Sequence, residues 1–94
     1  MSLETEAQRG QLAKSVLDNP VYQDAYKKIE EALTRTWRDS RDKDEREELH
    51  RLLRSMEKVQ ALISGTMRSG EIAAGKIKQR QSVRQRAGRI VSGD

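Results

Sequence analysis

Six cationic side chains stand close together near the C-terminus, within fourteen consecutive positions that contain no acidic residue. Pairs four residues apart, such as Lys76/Arg80 and Arg80/Arg84, share one face of a helix, so a helix here would carry a basic stripe. Cations at this density neutralise phosphates and release counterions, which gives salt-dependent, sequence-tolerant binding. The candidate nucleic-acid or partner-binding residues are Lys76, Lys78, Arg80, Arg84, Arg86 and Arg89.

Three interpretations of this basic run stay open. It binds nucleic acid, it binds an acidic protein surface, or it only keeps the chain in solution. In the first case Gln79, Gln81 and Gln85 would add hydrogen bonds to phosphates or base edges. No aromatic residue accompanies the cations, which argues against a membrane as partner.

Residues that could support catalysis or hold a metal ion are few. His50 is the single histidine, and the chain has no cysteine. Glu47 and His50 satisfy the Glu-x-x-His spacing of carboxylate-bridged metal sites once, whereas such a site needs a second motif and further carboxylates. No glycine-rich phosphate loop or nucleophile elbow occurs. The sequence therefore predicts a protein that is not an enzyme and has no metal, cofactor or small-molecule substrate.

The three aromatic residues, Tyr22, Tyr26 and Trp37, could in principle stack on nucleic-acid bases. They share a helical stripe with Ile29 and Leu33, however, and aromatic residues at helical spacing usually pack in a core or a subunit interface. The second interpretation is favoured.

Helices must position all of these residues, because no sustained period-two alternation or hairpin-turn signal occurs. A first helix is expected from Leu3 to Leu17. Gly10 weakens its first half by about 1 kcal/mol relative to Ala, so fraying is expected before Gln11. Asn19 is a strong N-cap and Pro20 suits the first helical position, which predicts a second helix from Pro20 to about Asp39.

A third helix is expected to begin near Asp42 or Asp44, since acidic residues crowd its first turns. It is expected to end around Ser69 and Gly70, with Gly70 as a left-handed C′ residue. The second and third helices form an antiparallel hairpin in an all-α fold. The residues assigned to the helix interface are Tyr22, Tyr26, Ile29, Leu33, Trp37, Leu49, Leu52, Leu53, Met56, Val59 and Ile63.

The charge distribution divides the chain into a helical hairpin domain, residues 1–70, and a basic C-terminal tail, residues 71–94, that is partly flexible or helical. Residues 1–67 carry 12 basic and 13 acidic side chains, whereas residues 68–94 carry 7 and 2. Only 34% of the 94 residues are hydrophobic, which is little apolar surface to offset the entropy of ordering the chain. The helices are therefore expected to complete their core on another subunit or partner, and a homo-oligomer is the favoured form.

Cellular location is constrained only loosely. The absence of cysteine fits a reducing compartment. The longest apolar stretches are too short to span a membrane, and the acidic N-terminus does not resemble a signal peptide. A cytoplasmic location is expected.

The sequence resembles small helical proteins that tailed bacteriophages and prophages encode near their head and DNA-packaging genes. The resemblance lies in residues 16–26 (VLDNPVYQDAY), 36–38 (TWR), 45–53 (EREELHRLL) and 67–73 (MRSGEIA), and it covers about two-thirds of the chain. It implies a role in virion assembly, either as a minor structural component or as a packaging accessory related to small terminase subunits. Those subunits are typically oligomeric helical rings that bind DNA.

The leading hypothesis is thus a phage-type assembly or DNA-packaging protein, found in the host cytoplasm or the virion. It would self-associate or dock on another virion protein through its hairpin and contact DNA or another virion protein through its tail. The chain lacks the clear N-terminal helix-turn-helix of many small terminase subunits, which argues against sequence-specific DNA recognition. A DNA-binding transcriptional regulator and a helical protein-interaction or inhibitor module are the alternatives.

Overall fold

A computed structural model describes the backbone of residues 1–92 and the side chains of residues 1–89. It contains three helices, α1 (Leu3–Leu17), α2 (Pro20–Asp39) and α3 (Lys43–Ser92), and no strand within residues 1–92. The all-α prediction is confirmed, and so are the expected bounds of α1 and α2.

Short polar residues cap the start of each helix. The backbone N–H of Thr5 donates to Ser2 Oγ at 3.1 Å, which caps α1. Asn19 Oδ1 accepts the N–H of Val21 at 2.8 Å, and Pro20 occupies the first turn of α2. Asp42 Oδ1 accepts the N–H of Asp44 at 2.9 Å, at the start of α3. These bonds satisfy donors that a helix leaves free at its N-terminus.

The prediction that the third helix ends at Ser69 and Gly70 is wrong. Helix α3 is continuous over 50 residues, and no glycine described in the structure has a positive φ. Gly70 is therefore an interior helical residue and not a left-handed cap. At 1.5 Å per residue α3 is about 75 Å long, and it accounts for the 79 Å length of the molecule.

Helices α1 and α2 lie one after the other along α3, and both run antiparallel to it. Helix α2 packs on the first half of α3, which forms the predicted antiparallel hairpin. Helix α1 packs on the second half, where Gly10 contacts Gly70 and Glu4 contacts Arg80. Both the helix and its packing continue through residue 70, the position assigned to the boundary between hairpin domain and tail.

The single chain buries very little apolar surface. Ala13 and Ala73 are the only buried hydrophobic residues among those described, and no large side chain there is fully buried. The radius of gyration is 21.6 Å, whereas a compact domain of this length would have about 12 Å. The isolated chain is an elongated layer of helices without a central core.

No helix within residues 1–92 combines the length and the apolar character that crossing a bilayer requires.

Candidate nucleic-acid interface

The six predicted cationic residues all lie on the last third of α3, and every one of them is exposed. We call this segment, residues 76–89, the cationic end. Lys76, Arg80 and Arg84 follow one another at intervals of four and form one stripe. Lys78, Arg86 and Arg89 fall on a second side of the helix, since 100° separates successive residues. The cationic end therefore presents positive charge on two flanks, whereas the sequence had suggested one basic stripe.

Arg80 has an acidic partner that is distant in sequence. Its guanidinium Nη2 donates to Glu4 Oε1 at 2.5 Å, and both side chains remain about half exposed. A backbone hydrogen bond and the bond from Arg80 together hold the pKa of the Glu4 carboxyl below its ordinary value. No ion pair involves any of the other five cations within the described part of the chain. Their charges are thus available to an external anion.

The last part of the cationic end, from Val83 to Arg89, projects beyond the rest of the molecule. Helix α1 begins at Leu3, close to Arg80, and from Val83 to Arg89 every residue is exposed. A helical segment of this length without packing is marginally stable in water, and its like charges repel one another. An anionic partner would therefore stabilise the helix as well as bind to it.

The aromatic residues lie away from the cationic end. Tyr22 and Tyr26 are half buried on α2, with ring centroids 6.2 Å apart. Trp37 lies at the hairpin turn, where the guanidinium carbon of Arg46 is 4.1 Å from the centre of its ring. Burial in the hairpin leaves them poorly placed to stack on a nucleic acid that is held by the cationic end.

The residues assigned to the helix interface divide into two groups by exposure. Three are exposed: Ile29 by 52%, Leu52 by 47% and Val59 by 56%. The opposite arm of the hairpin leaves a large part of each of these three side chains uncovered. The others are half buried: Tyr22, Tyr26, Leu33, Trp37, Leu49, Leu53, Met56 and Ile63.

The closest approach of two helices is a contact that sequence reasoning missed. A Cβ added to Gly10 would lie 2.5 Å from Gly70 Cα, and a Cβ added to Gly70 would meet Gly10 Cα in the same way. The two helix backbones can therefore approach this closely only because both positions are glycine. Ala13 and Ala73 are buried beside the crossing. A small residue recurring after three positions in both helices was the available signal, but Gly10 had been interpreted only as a source of fraying.

The candidate catalytic and metal-binding residues remain dispersed. His50 is exposed, and its Nε2 accepts a long hydrogen bond of 3.5 Å from Arg54 Nε. No group of three or more His, Cys, Asp or Glu side chains suited to a metal ion occurs within the described residues.

Comparison with known proteins adds no relative from which a function could be transferred: no protein-family model, curated protein or solved structure matches this chain.

Proposed function

We propose that this protein is a non-enzymatic assembly protein that self-associates through its helices and binds DNA through its cationic end. The observation that carries the proposal is the projecting, unpaired positive charge at the end of a helical body that has almost no core of its own. A place in virion assembly or DNA packaging rests on the sequence resemblance described above.

Self-association is supported by apolar surface that the single chain leaves in water. Among residues 1–89, ten large hydrophobic side chains are between 42% and 77% exposed. Ordering each residue costs roughly 1.5 kcal/mol, and burial of apolar surface is the main term that offsets this cost. Because one chain buries so little, further copies are the simplest source of the missing burial.

DNA binding is supported by the arrangement of charge around the cationic end. An α-helix fits the major groove of B-form DNA, where phosphates line both walls. Cations on two flanks of α3 match that geometry, because each flank faces one wall. The glutamines between them add hydrogen-bonding groups that reach phosphates or base edges.

Neutralising three arginines of the projecting segment tests this role. In the Arg84→Gln/Arg86→Gln/Arg89→Gln variant, the slope of log affinity against log salt for a random-sequence duplex should fall by about 3, because each phosphate contact contributes about 0.9. Fluorescence anisotropy over a salt series measures it. The matched control removes the same charge from exposed positions elsewhere, as Lys27→Gln/Arg38→Gln/Arg41→Gln. An equal loss of slope in this control would show that net charge alone binds DNA.

The mass of the protein in solution tests self-association. Sedimentation equilibrium should give a multiple of the 10.8 kDa chain mass. A monomer that unfolds cooperatively would contradict the proposal. Footprinting on random DNA separates the alternatives, because protection of one defined site would indicate a regulator, and uniform, salt-sensitive protection is expected of a packaging or assembly protein.

A further inference from the structure

One side of the helical hairpin carries no charged residue. On α2 this side consists of five residues spaced by three or four positions, and α3 contributes five more at the same spacing. The ten residues are Val21, Ala25, Ile29, Ala32, Thr36, Leu52, Ser55, Val59, Leu62 and Thr66. Nine of them are exposed, and Thr66 is half buried. We call this surface the uncharged side.

The two lines of residues fall on the same side of the hairpin. Ala32 precedes Leu33 on α2, and Ser55 precedes Met56 on α3, where Leu33 and Met56 are half buried between the helices. In an antiparallel pair of helices, the residues that precede such contact positions lie on one side, and the residues that follow them lie on the other. The groove on that other side is charged, and its lining includes Glu30, Arg35, Arg38 and Glu57.

The uncharged side holds half of the large hydrophobic side chains that are exposed among residues 1–89. These are Val21, Ile29, Leu52, Val59 and Leu62, which are between 47% and 77% exposed. Charged residues begin at the border, where Lys28 pairs with Asp24 at 3.0 Å. An apolar centre with a charged border is the usual composition of a protein interface.

The total surface of the single chain also indicates that a partner is missing. The chain exposes 7747 Å², whereas a compact folded chain of 10.8 kDa exposes about 5500 Å². Part of this excess of about 2200 Å² belongs to the projecting residues 83–89, but a standard interface buries only about 800 Å² per chain. The excess is therefore large enough for a dimer interface.

We propose that the uncharged sides of two copies of this chain pack against each other around a two-fold axis. The inference rests on the self-association proposed above and names the surface that carries it. A chain without a core needs this surface covered to hold its helices together, and its own copies are present wherever it folds. A two-fold pairing brings the same surface together twice, so apolar side chains meet apolar side chains and no charge is buried.

The pairing is compatible with DNA binding. None of the six cations of the cationic end lies on the uncharged side. The dimer would therefore gain a core between its two hairpins without using any residue of the cationic ends.

Thiol labelling tests the surface directly, because the chain has no cysteine of its own. Val59→Cys probes the uncharged side, and Val83→Cys is its matched control, since both valines are 56% exposed in the single chain. In the associated protein Val59→Cys should react at least about tenfold more slowly than Val83→Cys, because a covered thiol reacts only when the interface opens. Dilution below the dissociation constant should remove the difference. Equal rates in the associated protein would overturn the proposal.

A lysine on the uncharged side gives a second test. Val59→Lys would bury an unpaired charge twice in each dimer, so the dissociation constant from sedimentation equilibrium should rise at least about 100-fold. Val83→Lys makes the same change outside the interface and should leave the constant unchanged. Loss of helix is expected together with dissociation of Val59→Lys, since the separated chain lacks a core, and the labelling experiment does not depend on it. A monomeric wild-type protein would refute self-association itself, whereas an associated protein with equal constants for both lysine variants would refute only this surface.

Discussion

Replacing Gly70 with Ala should destabilise the fold by about 1–2 kcal/mol, because forcing atoms into so close a contact costs up to about 3 kcal/mol and the helix preference of Ala returns about 1 kcal/mol. The added Cβ would meet Gly10 Cα and would lie 3.0 Å from the Glu6 carbonyl oxygen. Both are backbone atoms, so α1 must move away from α3 as a unit. The helix preference of Ala over Gly, about 1 kcal/mol in the opposite direction, is too small to reverse the result. Urea unfolding followed by circular dichroism, at fixed protein concentration, measures the change.

Gly75→Ala is the matched control for this prediction. A Cβ at Gly75 meets no atom within 4 Å. The same substitution, five residues further along the same helix, should therefore stabilise the protein by up to about 1 kcal/mol. If the two variants shift the unfolding midpoint in the same direction, the tight crossing of α1 and α3 does not exist in solution.

Removing the Arg46 side chain should destabilise the hairpin by about 2 kcal/mol, because a charged donor and a cation–π contact are lost together. Its Nη1 donates to the Trp37 carbonyl oxygen at 2.7 Å and to the Ser40 carbonyl oxygen at 3.0 Å. The same guanidinium lies over the Trp37 ring. The group thus fastens the end of α2 to the start of α3 across the turn.

Trp37 is the only tryptophan, so its fluorescence reports on this turn directly. Arg46→Ala should shift its emission to longer wavelength and lower the urea midpoint. Arg46→Lys keeps the positive charge but lacks the planar guanidinium. Its emission wavelength and urea midpoint should therefore lie between those of the wild type and those of Arg46→Ala. Arg41→Ala, at an exposed position in the same turn, should behave like the wild type. Equal effects of Arg41→Ala and Arg46→Ala would show that the turn depends only on local charge.

The sequence predicted the starts of helices well where capping residues within one turn determine them. Asn19 and Pro20 marked the start of α2 because a cap bond and a fixed φ act within one turn. The end of α3 was mispredicted because the sequence alone does not show which of two structural roles a glycine such as Gly70 has. A glycine at that position could adopt a left-handed conformation or admit a neighbouring backbone, and only the position of α1 decides between them.

The candidate site was predictable in composition but not in arrangement. The density of Lys and Arg between residues 76 and 89 is visible in the sequence. The ion pair of Arg80 with Glu4 is not, since 76 residues separate the partners. Nor did periodicity reveal that Ile29, Leu52 and Val59 stay exposed, because a helical stripe can be wider than the single neighbour that packs against it.

The uninterrupted course of α3 makes it a spacer of fixed length. Between Arg46 at the turn and Arg84 at the cationic end the helix advances about 57 Å, which equals roughly 17 base pairs of B-form DNA. A partner held at the turn would be kept at that distance from any duplex gripped at the far end.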